Sequence, residues 1–203
     1  MKVLLVNGSP HKEGNTYLAL KEVASEIEKY GIETEIFHIG TKPVQGCIAC
    51  GKCAEKGSCV FSGDIVETLQ EKMREADGIV LGTPTYYGGP AGNFCSILDR
   101  VFFSSHGSFK YKPASAVAVC RRGGATTALE RLEKYITISE MPHITSQYWN
   151  IIYGRTPGEV LQDAEGLQTM RALGKNMAYA VKNIPAKDAP KLDEPHEMTN
   201  FIR

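Results

Sequence analysis

The feature that most constrains the fold of this chain is a repeated alternation of short apolar runs with longer amphipathic segments. The apolar runs that predict strands are 2–6, 32–39, 78–83, 114–120 and 144–152. The segments with helical spacing are 16–30, 64–76, 91–103, 125–139 and 159–182. Strand–helix units that repeat in this way form a parallel sheet with helices on both faces. Five such strands predict a three-layer α/β/α fold, whose doubly wound sheet has the order 2-1-3-4-5.

Composition and charge exclude several classes of protein. Lys plus Arg and Asp plus Glu both number 23, and a zero net charge argues against a general nucleic-acid binder. No apolar stretch approaches the ~18 residues needed to span a bilayer. The first apolar run is also shorter than the ~7–15 residues of a secretory signal. We therefore expect a cytoplasmic protein with no membrane or nucleic-acid partner.

The chain divides into one predicted domain and a tail. Residues 1–183 contain all the strand and helix patterns, with a cysteine-rich insertion at 46–60. Residues 184–203 carry three prolines and mixed charges, so we expect an arm.

Ligands of doubly wound sheets bind beyond the carboxyl ends of the strands, so the loop after the first strand is a candidate site. It contains Ser9, Gly14, Asn15 and Thr16, and it leads into a helix whose free N–H groups attract anions. It has no Walker lysine. Neutral donors suit a terminal monophosphate such as that of FMN. The alternative is an ordinary turn in which Asn15 or Thr16 caps the helix.

The loops after the third and fourth predicted strands complete the same crevice. The first of them, 84–88, is Pro84-Thr85-Tyr86-Tyr87-Gly88, where a tyrosine ring could stack on a flavin. The alternative is that the tyrosines pack on helices or at a subunit interface. The second loop contains Arg121 and Gly123, and its arginines could meet the flavin or the phosphate of a nicotinamide cofactor.

A compact set of cysteines is the strongest signal for chemistry. Cys47, Cys50, Cys53 and Cys59 have the spacing Cys-x2-Cys-x2-Cys-x5-Cys. This spacing can wrap a [4Fe-4S] cluster, since zinc sites usually use two separated pairs of cysteines. Structural zinc and free or disulfide-paired thiols are the alternatives.

These residues together resemble the iron–sulfur flavoproteins of the flavodoxin-like NADPH-dependent FMN reductase superfamily. The resemblance rests on Gly8-Ser9-Pro10, Gly14-Asn15, the four clustered cysteines, Pro84-Thr85-Tyr86 and Leu98-Asp99-Arg100. It implies FMN, one [4Fe-4S] cluster per chain, and a homodimer or homotetramer. This resemblance implies that the phosphate end of FMN is bound by Ser9, His11, Asn15 and Thr16. Residues 84–88 hold the ring, and the four cysteines bind iron.

The leading hypothesis is an FMN-dependent oxidoreductase. Its donor would be ferredoxin or NAD(P)H, and its acceptor a quinone, oxygen or a nitro compound. No side chain is predicted to act as a nucleophile or general base, because the flavin carries the chemistry. Three alternatives are a cluster-free NAD(P)H-dependent quinone or azo reductase, a non-enzymatic electron carrier, and a nucleotide-binding regulatory module.

Overall fold

The apolar runs of the sequence form the strands of a parallel sheet in a computed structural model, which describes residues 1–190, 194–195 and 197–199. The strands are β1 (Lys2–Asn7), β2 (Glu33–His38), β3 (Gly78–Tyr86), β4 (Gly89–Pro90), β5 (Ala114–Cys120) and β6 (Ile151–Tyr153). The helices are α1 (Asn15–Glu28), α2 (Cys53–Lys56), α3 (Ile65–Glu75), α4 (Gly92–Ser104), α5 (Ala125–Ile138) and α6 (Ala164–Asn183).

The order of the strands confirms the predicted doubly wound topology. The main sheet runs β2-β1-β3-β5-β6, and every neighbouring pair in it is parallel. These are the five predicted strands in the order 2-1-3-4-5. The additional strand, β4, is a two-residue extension that pairs antiparallel with the end of β3.

Alternate residues of the central strands enter two separate cores, which is why the sheet needs helices on both faces. In β1, Val3 and Leu5 pack with α1 and α6, whereas Leu4 and Val6 face α3, α4 and α5. All four side chains are fully buried. The resulting three layers leave the carboxyl ends of β1, β3 and β5 at one edge.

The predicted fifth strand is wrong over most of its length. Only Ile151–Tyr153 pairs with β5, and His143 adds an isolated bridge to Ala114. Between them, the hydroxyl of Ser146 bonds to the backbone of Tyr148, accepting from its N–H and donating to its carbonyl. This local turn replaces the ladder, as short polar side chains often do.

The last predicted helix, 159–182, is divided in two. A 3₁₀ turn covers Glu159–Gln162, and α6 begins at Ala164 because the Asp163 side chain accepts from the Gly166 N–H and caps it. The same capping is found at Asp64, the first residue of the predicted segment 64–76, which accepts from the Val66 N–H.

The predicted C-terminal arm lies only partly within the described residues. α6 ends at Asn183, and a 3₁₀ turn follows at Ala186–Asp188. Residues 191–193, 196 and 200–203 lie outside the described part of the chain. The division into a domain and an arm stays a prediction. Within the described residues, no helix combines the length and apolar character that crossing a membrane requires.

Candidate functional site

An open cleft of about 730 Å³ lies at the carboxyl ends of β1, β3 and β5. This volume is within the range of ~300–1,000 Å³ that small-molecule sites occupy. Of the predicted cofactor-binding residues, those lining the cleft are Ser9, His11, Gly14, Asn15, Thr16, Pro84, Thr85, Tyr86 and Arg121. The lining residues that were not predicted are Pro10, Lys12, Glu13, Val119, Cys120, Gly154, Arg155 and Pro157.

The loop after β1 is shaped by a buried asparagine that the sequence analysis missed. The Asn7 side chain donates to the carbonyls of His11 (3.4 Å) and Lys12 (3.1 Å), and its Oδ1 accepts from the Ser9 N–H at 3.1 Å. Asn7 is fully buried, so these bonds are shielded from water. An Asn-Gly pair directly after a buried strand was the available signal, because Asn commonly bonds to nearby backbone.

The start of α1 presents free donors to this cleft. Its N-cap residue, Gly14, has no side chain to cap the helix. The first helical bond runs from the Leu18 N–H to the Gly14 carbonyl at 3.1 Å. No acceptor among the described residues takes the N–H groups of Asn15, Thr16 or Tyr17. Three free N–H groups at the positive end of a helix form an anion site.

The side chain of Asn15, predicted as a phosphate donor, also makes two hydrogen bonds to the loop after β6. Its Nδ2 donates to the Thr156 carbonyl at 2.9 Å, and its Oδ1 accepts from the Gly158 N–H at 3.0 Å. These bonds use one of the two Nδ2 hydrogens and the Oδ1 atom, so Asn15 retains its second Nδ2 hydrogen and its backbone N–H as donors.

Glu159 holds the same loop from its other side. Its Oε2 accepts from the backbone N–H groups of Thr156 (2.7 Å) and Arg155 (2.6 Å), and from the Thr156 hydroxyl (3.1 Å). The bonds from Thr156 and Arg155 lower the pKa of the Glu159 carboxyl. This turn carries Arg155 to the rim of the cleft, where Lys12 and Arg121 also lie. The rim is therefore rich in cations, with Glu13 as the opposing charge.

The end of β3 contributes a buried hydroxyl without a partner. Thr85 Oγ1 is inaccessible to water and makes no hydrogen bond among the described residues. An unpaired buried hydroxyl costs free energy, and Thr85 is one of the residues that line the cleft. Beside it, the Tyr86 ring is about half exposed.

The β3–β4 hairpin turns at the two predicted residues Tyr87 and Gly88, which both have positive φ (51° and 77°). Two such residues make the tight primed turn that joins twisted strands. Tyr87 is fully exposed at its tip. Gly88 packs on Gly124, where a Cβ would lie 2.9 Å from the Gly88 Cα. Tyr87, Gly88 and Gly123 lie beside the cleft rather than in its lining.

Cys120 lines the cleft as a neutral thiol. Burial raises the pKa of this thiol, and the backbone N–H groups of Arg122 and Ala125 offset only part of that effect. A protonated thiol is a weak nucleophile. The cleft therefore offers no activated nucleophile at the position of Cys120.

The four clustered cysteines line one small cavity against α4. Cys53 is buried, Cys59 is half-buried, and Cys47 and Cys50 are exposed. Two sulfurs accept hydrogen bonds, Cys47 Sγ from the Ala49 N–H at 3.5 Å and Cys59 Sγ from Arg100 Nε at 3.2 Å. Donors to sulfur are typical of thiolates that hold iron–sulfur clusters.

The sulfurs of the clustered cysteines are not gathered around one single-ion position in the described chain. Within the described ranges, no three Cys, His, Asp or Glu side chains approach closely enough to bind one metal ion. A cubane takes one thiolate on each of its irons, so its ligands stand farther apart than those of a tetrahedral zinc. The four cysteines line one cavity, whose volume is about 20 Å³ in the metal-free chain.

Comparisons with known proteins identify the family of this chain. Residues 1–155 match the NADPH-dependent FMN reductase family. The chain is similar to an iron–sulfur flavoprotein of Methanocaldococcus jannaschii, at 38% identity over 91% of this chain and 99% of that protein. It is also similar to an iron–sulfur flavoprotein of Archaeoglobus fulgidus, at 33% identity over 94% and 98% of the two chains.

Solved structures show the same flavodoxin-like fold. RosB, with bound 8-demethyl-8-formylriboflavin 5′-phosphate, superposes with a TM-score of 0.72 at 16% identity, covering 100% of this chain and 92% of that chain. A flavodoxin, the WrbA-like protein of Agrobacterium tumefaciens, gives a TM-score of 0.64 at 18% identity, covering 90% and 98%. The chain therefore belongs to the NADPH-dependent FMN reductase family of flavoprotein oxidoreductases and, within it, to the iron–sulfur flavoproteins.

Proposed function

We propose that the chain binds FMN in the cleft and carries electrons between a low-potential donor and an acceptor. The donor is ferredoxin or NAD(P)H, and the acceptor is a quinone, oxygen or a nitro compound. The observation that carries this proposal is the pairing of three free N–H groups at the start of α1 with the unpartnered Thr85 hydroxyl in one cleft. Bound FMN supplies hydride exchange with a nicotinamide and single-electron exchange with an iron–sulfur centre.

The phosphate end of FMN belongs at the loop after β1. The backbone N–H groups of residues 15–17 donate to it, and Ser9, His11 and Thr16 line the same wall. Arg155 adds a positive charge at the rim, on a turn already fixed by Asn15 and Glu159. Because the donors are held before any ligand arrives, little ordering entropy is lost on binding.

The ring end belongs between the end of β3 and the loop after β5. Pro84, Thr85 and Tyr86 form one side, and Arg121 lies on the other. Thr85 Oγ1 bonds to the ring or its ribityl chain, and Arg121 favours negative charge on the reduced ring. Tyr87, Gly88 and Gly123 close the mouth of the cleft from the hairpin and the neighbouring bend.

The cysteine cavity completes the electron path. Cys47, Cys50, Cys53 and Cys59 would hold a [4Fe-4S] cluster, which supplies electrons one at a time. α4 connects the two sites, since it begins at Gly92 beside the hairpin and passes the cysteine cavity at Arg100. Relatives of near-identical length are named for such a centre. A homodimer or homotetramer, with 1–183 as the flavin domain and 184–203 as an arm, belongs to the same proposal.

Anaerobic purification with metal and flavin analysis tests this function. We expect about one FMN and about four irons per chain, bleaching of the flavin band by NAD(P)H or reduced ferredoxin, and loss of iron in Cys50→Ser. Cys95→Ser is the matched control, because Cys95 lies on α4 outside the cysteine cavity. A colourless protein contradicts the proposal. Full flavin with no iron, and NAD(P)H turnover unchanged in Cys50→Ser, would instead support the cluster-free reductase.

A further inference from the structure

Arg100 is buried to an unusual degree for a charged residue. It lies in the second half of α4, its side chain has no accessible surface, and it is the largest fully buried side chain among the described residues. Arginine is almost never fully buried unless each of its donors finds a partner. The identity of those partners therefore indicates what the residue is for.

All the side-chain contacts of Arg100 go to the segment that contains the four cysteines. Nη1 donates to Asp64 Oδ2 at 2.5 Å and to the Gln45 carbonyl at 3.2 Å, and Nη2 donates to the Phe61 carbonyl at 2.9 Å. Nε donates to Cys59 Sγ at 3.2 Å. Gln45 precedes the first clustered cysteine and Asp64 follows the last one, so a single guanidinium joins the two ends of the segment.

Few other interactions stabilise the conformation of the cysteine segment, residues 46–60. Between residues 46 and 60 its one regular element is the four-residue α2, and Cys53 is its one buried residue. Ala49 and Gly51 have positive φ, as a chain that doubles back requires. A segment without a core of its own depends on directed bonds from the body of the protein.

We propose that Arg100 is a positioning residue, which holds the cysteine segment closed so that its four sulfurs share one cavity before any metal binds. The proposal rests on the proposed function in one respect only, namely that the cavity binds an iron–sulfur cluster. The planar fork of arginine reaches partners in several directions at once, which the single ammonium of lysine does not. Its Nε–H also stabilises negative charge on Cys59 Sγ, and donors to a ligand sulfur raise the reduction potential of a cluster.

Hydrogen–deuterium exchange of the full-length protein, stripped of iron by a chelator under anaerobic conditions, tests the positioning directly. In Arg100→Lys we expect amides in 45–63 to exchange at least about tenfold faster, while β1 and β3 keep their wild-type rates. Arg171→Lys is the matched control, because Arg171 forms an exposed ion pair with Glu22 on the other face of the sheet. Wild-type exchange in 45–63 of Arg100→Lys would overturn the proposal.

Asp64→Asn provides a second variant that should fold even if Arg100→Lys does not. Asparagine can still cap α3 at the Val66 N–H, but it removes the carboxylate that pairs with Arg100. We expect faster exchange confined to 45–63 in Asp64→Asn, and a more negative cluster potential in Arg100→Lys after reconstitution. Unchanged exchange in this variant also overturns the proposal. A wild-type protein that binds no iron refutes the proposed function, and the exchange comparison still decides the role of Arg100.

Discussion

Thr85 buries a hydroxyl that bonds to nothing among the described residues, so this side chain costs free energy in the ligand-free chain. Replacing it with valine keeps the shape and removes the unpaired oxygen. We predict that Thr85→Val stabilises the flavin-free protein by about 1 kcal/mol and weakens FMN binding by about tenfold. Chemical denaturation and fluorescence titration of the apoprotein measure the two effects.

The opposite signs of these two effects separate a binding role for Thr85 from a structural one. Thr137→Val is the control, because Thr137 is exposed on α5 and bonds to the Glu133 carbonyl, away from the cleft. It should leave FMN affinity unchanged. A Thr85→Val protein that binds FMN as the wild type does would show that the hydroxyl faces no ligand.

Tyr87, in the turn of the β3–β4 hairpin, is a second residue in which strain and exposure coincide. A bulky residue with φ of 51° is strained, and its fully exposed ring gains no packing in return. Strain of this kind concentrates at functional sites. The tip of the β3–β4 hairpin is therefore part of the candidate site, even though Tyr87 does not line the cleft of the isolated chain.

Among the elements, the turn after β6 depends on the first residue of α1. Asn15→Ala removes two hydrogen bonds to residues 156 and 158 but leaves the helix and its free N–H groups intact. We predict faster amide exchange in 154–158 and FMN binding weaker by about tenfold, since each lost bond contributes about 1 kcal/mol. Hydrogen exchange and calorimetric titration check these outcomes.

The control for Asn15→Ala is Asn176→Ala. Asn176 lies on α6, and its side chain donates to the Thr145 carbonyl, so this variant removes a comparable bond at a distant position. That variant should keep wild-type FMN affinity. If Asn15→Ala also keeps wild-type affinity while its 154–158 segment exchanges faster, the turn contributes nothing to the flavin site, and Arg155 does not assist phosphate binding.

Glu35 joins three elements through one carboxylate. It accepts from Lys2 of β1 and Lys72 of α3, both at 2.6 Å. Burial raises the pKa of Glu35. The hydrogen bonds from the two lysines lower this pKa by more than burial raises it, so the pKa is below its usual value. A carboxyl with a lowered pKa stabilises the fold above its unfolded pKa of ~4.3, and this stability is lost as the pH falls through the folded pKa.

We therefore predict that Glu35→Gln is less stable than wild type by about 1 kcal/mol at pH 7. The difference should shrink as the pH falls below ~4.3 and be absent at a pH below the lowered pKa of the folded carboxyl. Urea denaturation at both pH values measures it. Glu71→Gln, at an exposed site on α3 without an ion pair among the described residues, should match wild type at both. A gap that persists at low pH would assign the effect to packing.

For the molecule as a whole, the architecture followed from local patterns and the site followed only in part. Runs such as Val3–Val6 and Ile79–Leu81 are apolar on both faces, which is typical of central parallel strands, and this predicted the sheet. Asn15 bonds to Thr156 and Gly158 in the turn after β6, and these residues are separated from it by 141 and 143 positions in the sequence. No local pattern encodes such a pairing, so the cleft wall at Gly154–Pro157 was missed.

The cysteine cavity shows the same division between local and long-range information. The spacing of four cysteines predicted that they act together, and they line one cavity. The buried Arg100 that bonds to Cys59 lies 41 positions away, and its contacts depend on how α4 packs. The fifth predicted strand was wrong because the hydroxyl of Ser146 bonds to the Tyr148 backbone, which apolar periodicity does not register.

We propose that the cleft recognises a flavin by its phosphate. Calorimetric titration of the apoprotein with FMN and with riboflavin tests this recognition. The two ligands differ only in the phosphate group that the start of α1 would hold. We predict that FMN binds at least about 100-fold more tightly, because several N–H groups donate to a charged acceptor. Equal affinity for riboflavin and FMN would contradict that claim.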